Sequence, residues 1–262
     1  MDDPGNKEGP FLEAFEGMKN ILIIATESYM NYARSLICSI HENVLDFTIY
    51  LYLINASEEA VNDIKLQTRN LPVEVREKND WSLDTEKNKH AFKNEVMCWS
   101  ANVRGEIIKE LLTKDKLIGL MYIDADSIVR GNIDEAFQLH RRCHIMFHFR
   151  PKDRDIGNIL SGVMFFKKTK VTLEFVEQFC EAIKREDILE WYSDQKGLNS
   201  TYEAFKGRSD ISFFNLSKKY IDWGYHSESK IWAGKGRSKK KKEFIRLQKA
   251  YYHKFIELSN KE

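Results

Sequence analysis

In Leu120-Met121-Tyr122-Ile123-Asp124-Ala125-Asp126-Ser127-Ile128-Val129, an apolar run that begins at Ile118 ends abruptly in two carboxylates one residue apart. A run of this length and composition suits a strand buried on both faces, with function at its carboxyl end. Residues i and i+2 of an extended chain project to the same side. Asp124 and Asp126 therefore converge on a single hard cation and leave positions open for substrate oxygens, the arrangement of Mg²⁺ or Mn²⁺ sites bound to phosphates. The alternative is that Asp-x-Asp merely starts a turn, for which Gly131-Asn132 downstream supplies the chemistry.

Upstream of this stretch, strands and helices alternate. Asn20 to Thr26 is a short β-branched run and the first strand; the polar pair Glu27-Ser28 turns into a helix over Tyr32 to Ile40, spaced through Leu36, Ile37 and Ile40. Phe47 to Ile54 is the second strand. Ser57 caps a helix whose first turn carries Glu58 and Glu59, as the macrodipole prefers. Pro72 to Val75 is a third strand, and Asp80 to Asn94, polar apart from Trp81, Leu83 and Phe92, is expected to be a mobile loop. Val96 to Leu112 is a helix that feeds the central strand. Such alternation over more than 100 residues implies parallel pairing in a doubly wound α/β sheet. Ligands bind such sheets at the carboxyl ends of strands, near the switch in strand order. Ala25-Thr26 and Asp124-x-Asp126 both lie at such ends.

Downstream, Cys143 to Phe149 and Gly162 to Phe166 are apolar strands, Val171 to Ile183 is an amphipathic helix, and Asp194-Gln195 opens a helix through Phe205. Ile211 to Leu216 is a strand, and Tyr220 to Trp232 is aromatic and irregular. Gly234-Lys235-Gly236-Arg237-Ser238 and the lysines Lys239 to Lys242 precede a closing helix, Phe244 to Leu258. The glycines and cations of this segment suit a diphosphate, and without one the segment is expected to be mobile. The lysine run alone reads as solvated surface, with a peripheral membrane contact as its alternative.

Composition narrows the classes further. With 262 residues and 42% hydrophobic side chains, the chain can bury a large core without disulfides, and its 41 basic and 40 acidic side chains argue against a nucleic-acid binder. Cys38, Cys98, Cys143 and Cys180 lack C-x-x-C spacing and sit in apolar segments, as small core residues of a cytoplasmic protein do. No apolar stretch approaches the roughly 18 residues that span a bilayer. Met1 to Gly17 reads as a flexible lead or an expression remnant without a signal-peptide h-region, so one domain is expected over 18–258.

Together these residues resemble the GT-A nucleotide-sugar glycosyltransferases of the glycogenin-like family 8, from Ile21 to about Arg237. Ile21 to Thr26 followed by Tyr32-Ala33 is similar to the family's first strand and nucleotide loop, where a tyrosine stacks on uracil. Cys98-Trp99-Ser100 through Arg104 resembles its donor-binding helix, and Tyr122 to Val129 with Asn132-Ile133-Asp134 its metal-binding DxD segment. Ser161 to Phe165 resembles the strand that follows, and Asp194-Gln195-x-x-Leu198-Asn199 its Asp-Gln helix start. The resemblance implies a UDP-sugar donor, a carbohydrate, glycan or glycolipid acceptor, retention of anomeric configuration, and Mn²⁺ or Mg²⁺ on Asp124 and Asp126. It implies donor contacts from Ala25, Thr26, Tyr32, Arg104, Ala125, Gly234, Lys235 and Arg237, and catalytic roles for Asp194 and Gln195. Seen alone, Asp194-Gln195 is a plain helix N-terminus, Arg104 a solvated helix residue and Tyr32 a core side chain.

Two departures stand out. The family commonly supplies a histidine as third metal ligand ahead of the C-terminal glycine and lysine; here the stretch is Ile231-Trp232-Ala233-Gly234-Lys235, with His226 a few residues upstream. The asparagine that often precedes the Ser-Gly-Val strand is Leu160. These departures motivate a second reading, a catalytically degenerate protein that binds a sugar nucleotide or carbohydrate. A sugar-nucleotide nucleotidyltransferase is disfavoured, because Ala25 to Tyr29 lacks the Gly-rich loop that such enzymes carry after the first strand.

Overall fold

The computed structural model describes residues 18–79, 95–150, 157–186 and 189–260. The expected N-terminal lead and the loop Asp80 to Asn94 lie outside the described residues. Nine strands and eight α-helices follow in this order: β1 (Lys19–Thr26), α1 (Met30–Asn43), β2 (Phe47–Ile54), α2 (Glu58–Gln67), β3 (Val73–Lys78), α3 (Glu95–Asn102), α4 (Arg104–Lys114), β4 (Gly119–Ile123), β5 (Ser127–Val129), α5 (Asp134–His140), β6 (Ile145–Phe149), β7 (Ile159–Lys167), α6 (Lys170–Lys184), α7 (Ser193–Phe205), β8 (Phe213–Asn215), β9 (Ile231–Ala233) and α8 (Lys242–Ser259).

Seven strands form one sheet in the order β3-β2-β1-β4-β7-β6-β8, with a two-stranded sheet, β5-β9, beside it. Strands β1 to β4 pair in parallel, and β7 alone runs antiparallel to its neighbours β4 and β6. The order reverses at β1 and β4, where the carboxyl ends of the two strands leave the crevice expected of such sheets.

Two-sided burial explains the apolar strands. In β1, Ile21, Ile23 and Ala25 pack with α1 and with Phe244 and Phe255 of α8, whereas Leu22 and Ile24 face Ile107 and Leu111 of α4 and Phe179 of α6. Burying each such side chain contributes on the order of 1.5–3 kcal/mol before entropy is counted. Cys38, Cys98, Cys143 and Cys180 are buried, and none of the four is in a disulfide. Among the described residues no helix is long and apolar enough to cross a membrane.

Several boundaries differ from the sequence expectation for identifiable reasons. Ile118 is 80% exposed and stays outside β4. Pro72 has no N–H to give the ladder; its carbonyl accepts from Ile49, and β3 runs on to Lys78 instead. The helix expected over Val96 to Leu112 is divided at Val103, although Val103 still donates to Trp99 O and accepts from Ile107 N. Ser57 caps α2 as expected, its hydroxyl accepting from the Ala60 amide.

Candidate active site

Strand β4 delivers the acidic pair, but not in the way strand alternation predicts. Asp124 still donates its amide to Gly162 O on β7, and Ser127 then donates to Asp124 O at 3.0 Å, closing a turn over Asp124 to Ser127. The Asp-x-Asp segment is therefore a turn, the alternative that the sequence offers, and not the extended segment expected first. Both carboxylates line the same cavity, yet each faces a different set of partners.

Asp124 belongs to a buried network. Its Oδ1 accepts from the Tyr122 hydroxyl at 2.5 Å and lies 3.4 Å from Arg104 Nη2. Arg104 also donates to Ser161 O and pairs with Asp194 at 3.2 Å, while its guanidinium sits over the Tyr122 ring. Asp194, 1% exposed, accepts from the Ser161 hydroxyl at 3.0 Å. Burial pushes the Asp194 carboxyl above its ordinary pKa, opposed by Arg104 and by the Ser161 hydrogen bond. Gly162 makes the crowding possible, because a Cβ there would stand 2.8 Å from Asp124 Oδ2. Arg104, Asp124 and Asp194 thus form one electrostatic unit, a guanidinium between two carboxylates, completed by the hydroxyls of Tyr122 and Ser161, which the sequence offers only as parts of motifs.

Asp126 belongs to a second unit, contributed by the C-terminal segment. Strand β9 pairs with β5 so that Ala233 lies opposite Ser127, and Gly234 donates to Asp126 O at 2.8 Å. Beyond it, residues Gly236–Lys240 form a 3₁₀ helix. From this helix Lys239 reaches Asp126 Oδ2 at 3.2 Å and the Tyr29 hydroxyl at 2.8 Å. The Asp126 carboxyl is pushed up to about 6 by burial and by Asp124 nearby, with Lys239 acting against both.

A cavity of about 560 Å³ is lined by Ala25, Thr26, Arg104, Asp124, Ala125, Asp126, Asp194, Gln195, Lys235 and Arg237. Two other residues expected at the site lie elsewhere. Tyr32 faces a separate shallow groove with Asn31, Gln248 and Tyr252. Tyr29 lines the cavity in its place, because the 3₁₀ turn Glu27–Tyr29 precedes α1 and sets which tyrosine faces inward. Gly234 lies beneath Asp126 rather than in the cavity wall. Gln195 lines the cavity with its Oε1 accepting from Arg150 at 2.9 Å.

At the two departures from the family pattern, Ile231, Ala233 and Leu160 are all buried, and Ala233 also lines the cavity. His226 does not line the cavity: its Nδ1 is 3.0 Å from the buried Asp222, which also receives the His226 amide and the Ser229 hydroxyl. Among the described residues no group of three His, Cys, Asp or Glu side chains could hold a metal ion. Lys239 was not distinguishable in the sequence from its three lysine neighbours. It is 23% exposed, whereas Lys240, Lys241 and Lys242 are exposed.

No protein-family profile and no curated protein sequence matches the chain. Solved structures do resemble it. The glycosyltransferase GlyE of Streptococcus pneumoniae superposes with a TM-score of 0.58 at 15% identity, over 94% of this chain and 61% of that one. The galactosyltransferase LgtC, solved with donor and acceptor sugar analogues, gives a TM-score of 0.62 at 12% identity, over 92% of this chain and 95% of that one. Mouse xyloside xylosyltransferase 1 gives 0.54 at 13% identity, over 84% and 99%. The present chain thus spans less than two thirds of the GlyE chain. At these identities the likeness establishes the fold: a central, mostly parallel sheet of the GT-A type, flanked by helices.

Proposed function

We propose that this protein is a glycosyltransferase of the glycogenin-like family 8 type. It transfers a hexose from a nucleotide diphosphate donor, read as a UDP-sugar, to a carbohydrate, glycan or glycolipid acceptor with retention, and acts in the cytoplasm. The observation that carries this reading is the convergence of the two acidic side chains, Gln195 and the cations Lys235, Arg237 and Lys239 on one cavity at the β1–β4 switch point. A ligand with both a concentrated negative charge and a hydroxyl-rich part suits such a lining.

The chemistry follows from the donor. The bond between the anomeric carbon and the β-phosphate oxygen breaks, and its electron pair stays on the departing diphosphate. The acceptor hydroxyl oxygen bonds to the anomeric carbon, and its proton passes to the oxygen that leaves. Charge on the sugar ring is positive and oxocarbenium-like at the transition state, as in glycoside hydrolysis, so the Asp194 carboxylate and Gln195 amide stabilise that side. Asp194 also locks Arg104 and so positions Asp124. The diphosphate side needs fixed positive charge. Lys235, Arg237 and Lys239, which line the cavity, supply it from this chain.

The second reading, a degenerate sugar-nucleotide or carbohydrate binder, rests on Ala233 and Leu160, both buried apolar side chains where the resemblance implies polar ones. Calorimetric titration with UDP, GDP, ADP and CDP tests the donor assignment. Selective UDP binding is expected; equal affinity for all four, or for none, overturns it.

A further inference from the structure

The donor set at the acidic pair does not match a divalent-cation site. Asp124 Oδ1 is held by Tyr122 and Arg104, and Asp126 Oδ2 by Lys239, which leaves a cation one oxygen of each carboxylate, Asp124 Oδ2 and Asp126 Oδ1. In the stretch where the resemblance implies a third ligand, Ile231 and Ala233 have no side-chain donor atom, and His226 is bound to Asp222. A hard divalent ion takes six or more oxygens at about 2.0–2.6 Å, and one placed on Asp126 Oδ2 would stand against the Lys239 ammonium.

We infer that Lys239 is the resident cation of the acidic pair and does for the diphosphate of the donor what a divalent metal does in relatives, so that nucleotide binding needs no metal. The inference rests on the nucleotide-binding reading above. Its geometry is specific. An ammonium has three N–H donors; Asp126 and the Tyr29 hydroxyl take two, and the cavity-lining position of Lys239 leaves the third for a phosphate oxygen.

Lys239 is also fixed on several sides. Its ammonium lies 4.8 Å from the centre of the Tyr29 ring and 5.5 Å from that of Tyr32, both within cation–π range. Its backbone follows a short 3₁₀ helix that starts two residues after Gly234, itself hydrogen-bonded to Asp126. A point charge held this way is preorganised, and Lys235, Arg237 and Lys240 line the same cavity to share the remaining negative charge.

Three side-chain variants and two metal conditions test this. UDP is titrated by calorimetry into the wild type, Lys239→Met, Lys239→Arg and the outward-facing control Lys242→Met, once with EDTA and once with Mn²⁺. The wild type and Lys242→Met should bind UDP with equal affinity in both buffers. Lys239→Met should lose about tenfold or more with EDTA, the value of a charge-assisted hydrogen bond, and recover with Mn²⁺; Lys239→Arg should keep metal-free binding in part. Mn²⁺ alone, followed by its electron paramagnetic resonance signal, should bind Lys239→Met more tightly than the wild type. Circular dichroism checks that each variant is folded; if Lys239→Met is not, the Lys239→Arg and wild-type titrations still decide. Wild-type UDP binding that appears only with Mn²⁺ overturns the inference and leaves the proposed function standing. No UDP binding in either buffer overturns both.

Discussion

The main chain of Gly234 rests directly on that of Asp126. Its amide donates to Asp126 O at 2.8 Å, and a Cβ at 234 would stand 2.3 Å from that oxygen and 3.0 Å from the Phe244 ring. The basic segment is thereby joined to the acidic pair at one point, and only glycine allows the approach. The site is assembled from two ends of the chain that meet here.

Replacing Gly234 by Ala forces the β5–β9 ladder apart. The expected outcome is a loss of about 1–3 kcal/mol in stability, the usual cost of overpacking, together with weaker UDP binding because Lys235 to Lys239 shift. Denaturant unfolding and calorimetry on the same sample check both; an unchanged UDP affinity would show that the segment is positioned by other contacts.

Arg104 holds two carboxylates at once. Removing it in Arg104→Met leaves Asp194 buried without its guanidinium, which should destabilise the fold by about 3–5 kcal/mol. Asp194→Asn keeps the shape and a polar group, and should cost less. If the two variants unfold at the wild-type denaturant midpoint, the network is not a structural unit.

Tyr29 and Tyr32 separate by experiment. Stacking on a nucleobase contributes about 1–3 kcal/mol in other sites, and Tyr29 is the tyrosine in the cavity. Tyr29→Ala should therefore weaken UDP binding by about tenfold or more, and Tyr32→Ala by much less. The opposite ranking would return the base to the Tyr32 groove.

Stability should depend on pH through His140. This side chain is 7% exposed with a buried Nε2 that has no hydrogen-bond partner among the described residues. Burial, aided by Lys167, depresses it from 6.5 to about 4. The unfolded chain therefore binds a proton between these values that the folded chain does not, so the His140 contribution is full above pH 6.5 and is lost as pH falls toward about 4. Asp126, raised to about 6, acts in the opposite sense in the same window. The check is thus a difference: wild type minus His140→Gln should fall by roughly 1.4 kcal/mol per pH unit at most, and a flat difference would mean that His140 titrates normally.

Much of this arrangement was legible in the sequence, for local reasons. Apolar runs such as Phe47 to Ile54 and helical spacing in Val171 to Ile183 report burial directly, so the alternation that defines the sheet could be read. The acidic pair follows from the abrupt end of the apolar run and Arg104 and Asp194-Gln195 from the resemblance, and the structure brings them to one cavity. Three features depended on tertiary contacts. The Asp124–Ser127 turn was read as extended because a buried strand precedes it. The choice between Tyr29 and Tyr32 is set by the 3₁₀ turn at Glu27–Tyr29. Four consecutive lysines look alike in sequence, and only the 3₁₀ helix after Gly234 selects Lys239. Strand β9 was read as irregular, because its three residues acquire regular pairing only from β5.

The central claim is turnover of a nucleotide sugar in this cavity, and the most direct measurement is UDP release from a panel of UDP-hexoses, with water or simple glycosides as acceptor. The account predicts release from at least one donor, and a rate about 100-fold lower in Lys239→Met without added metal, the order of loss when one electrostatic contact to developing charge is removed. UDP binding without release from any donor would contradict it and make the protein a binder built on the same fold.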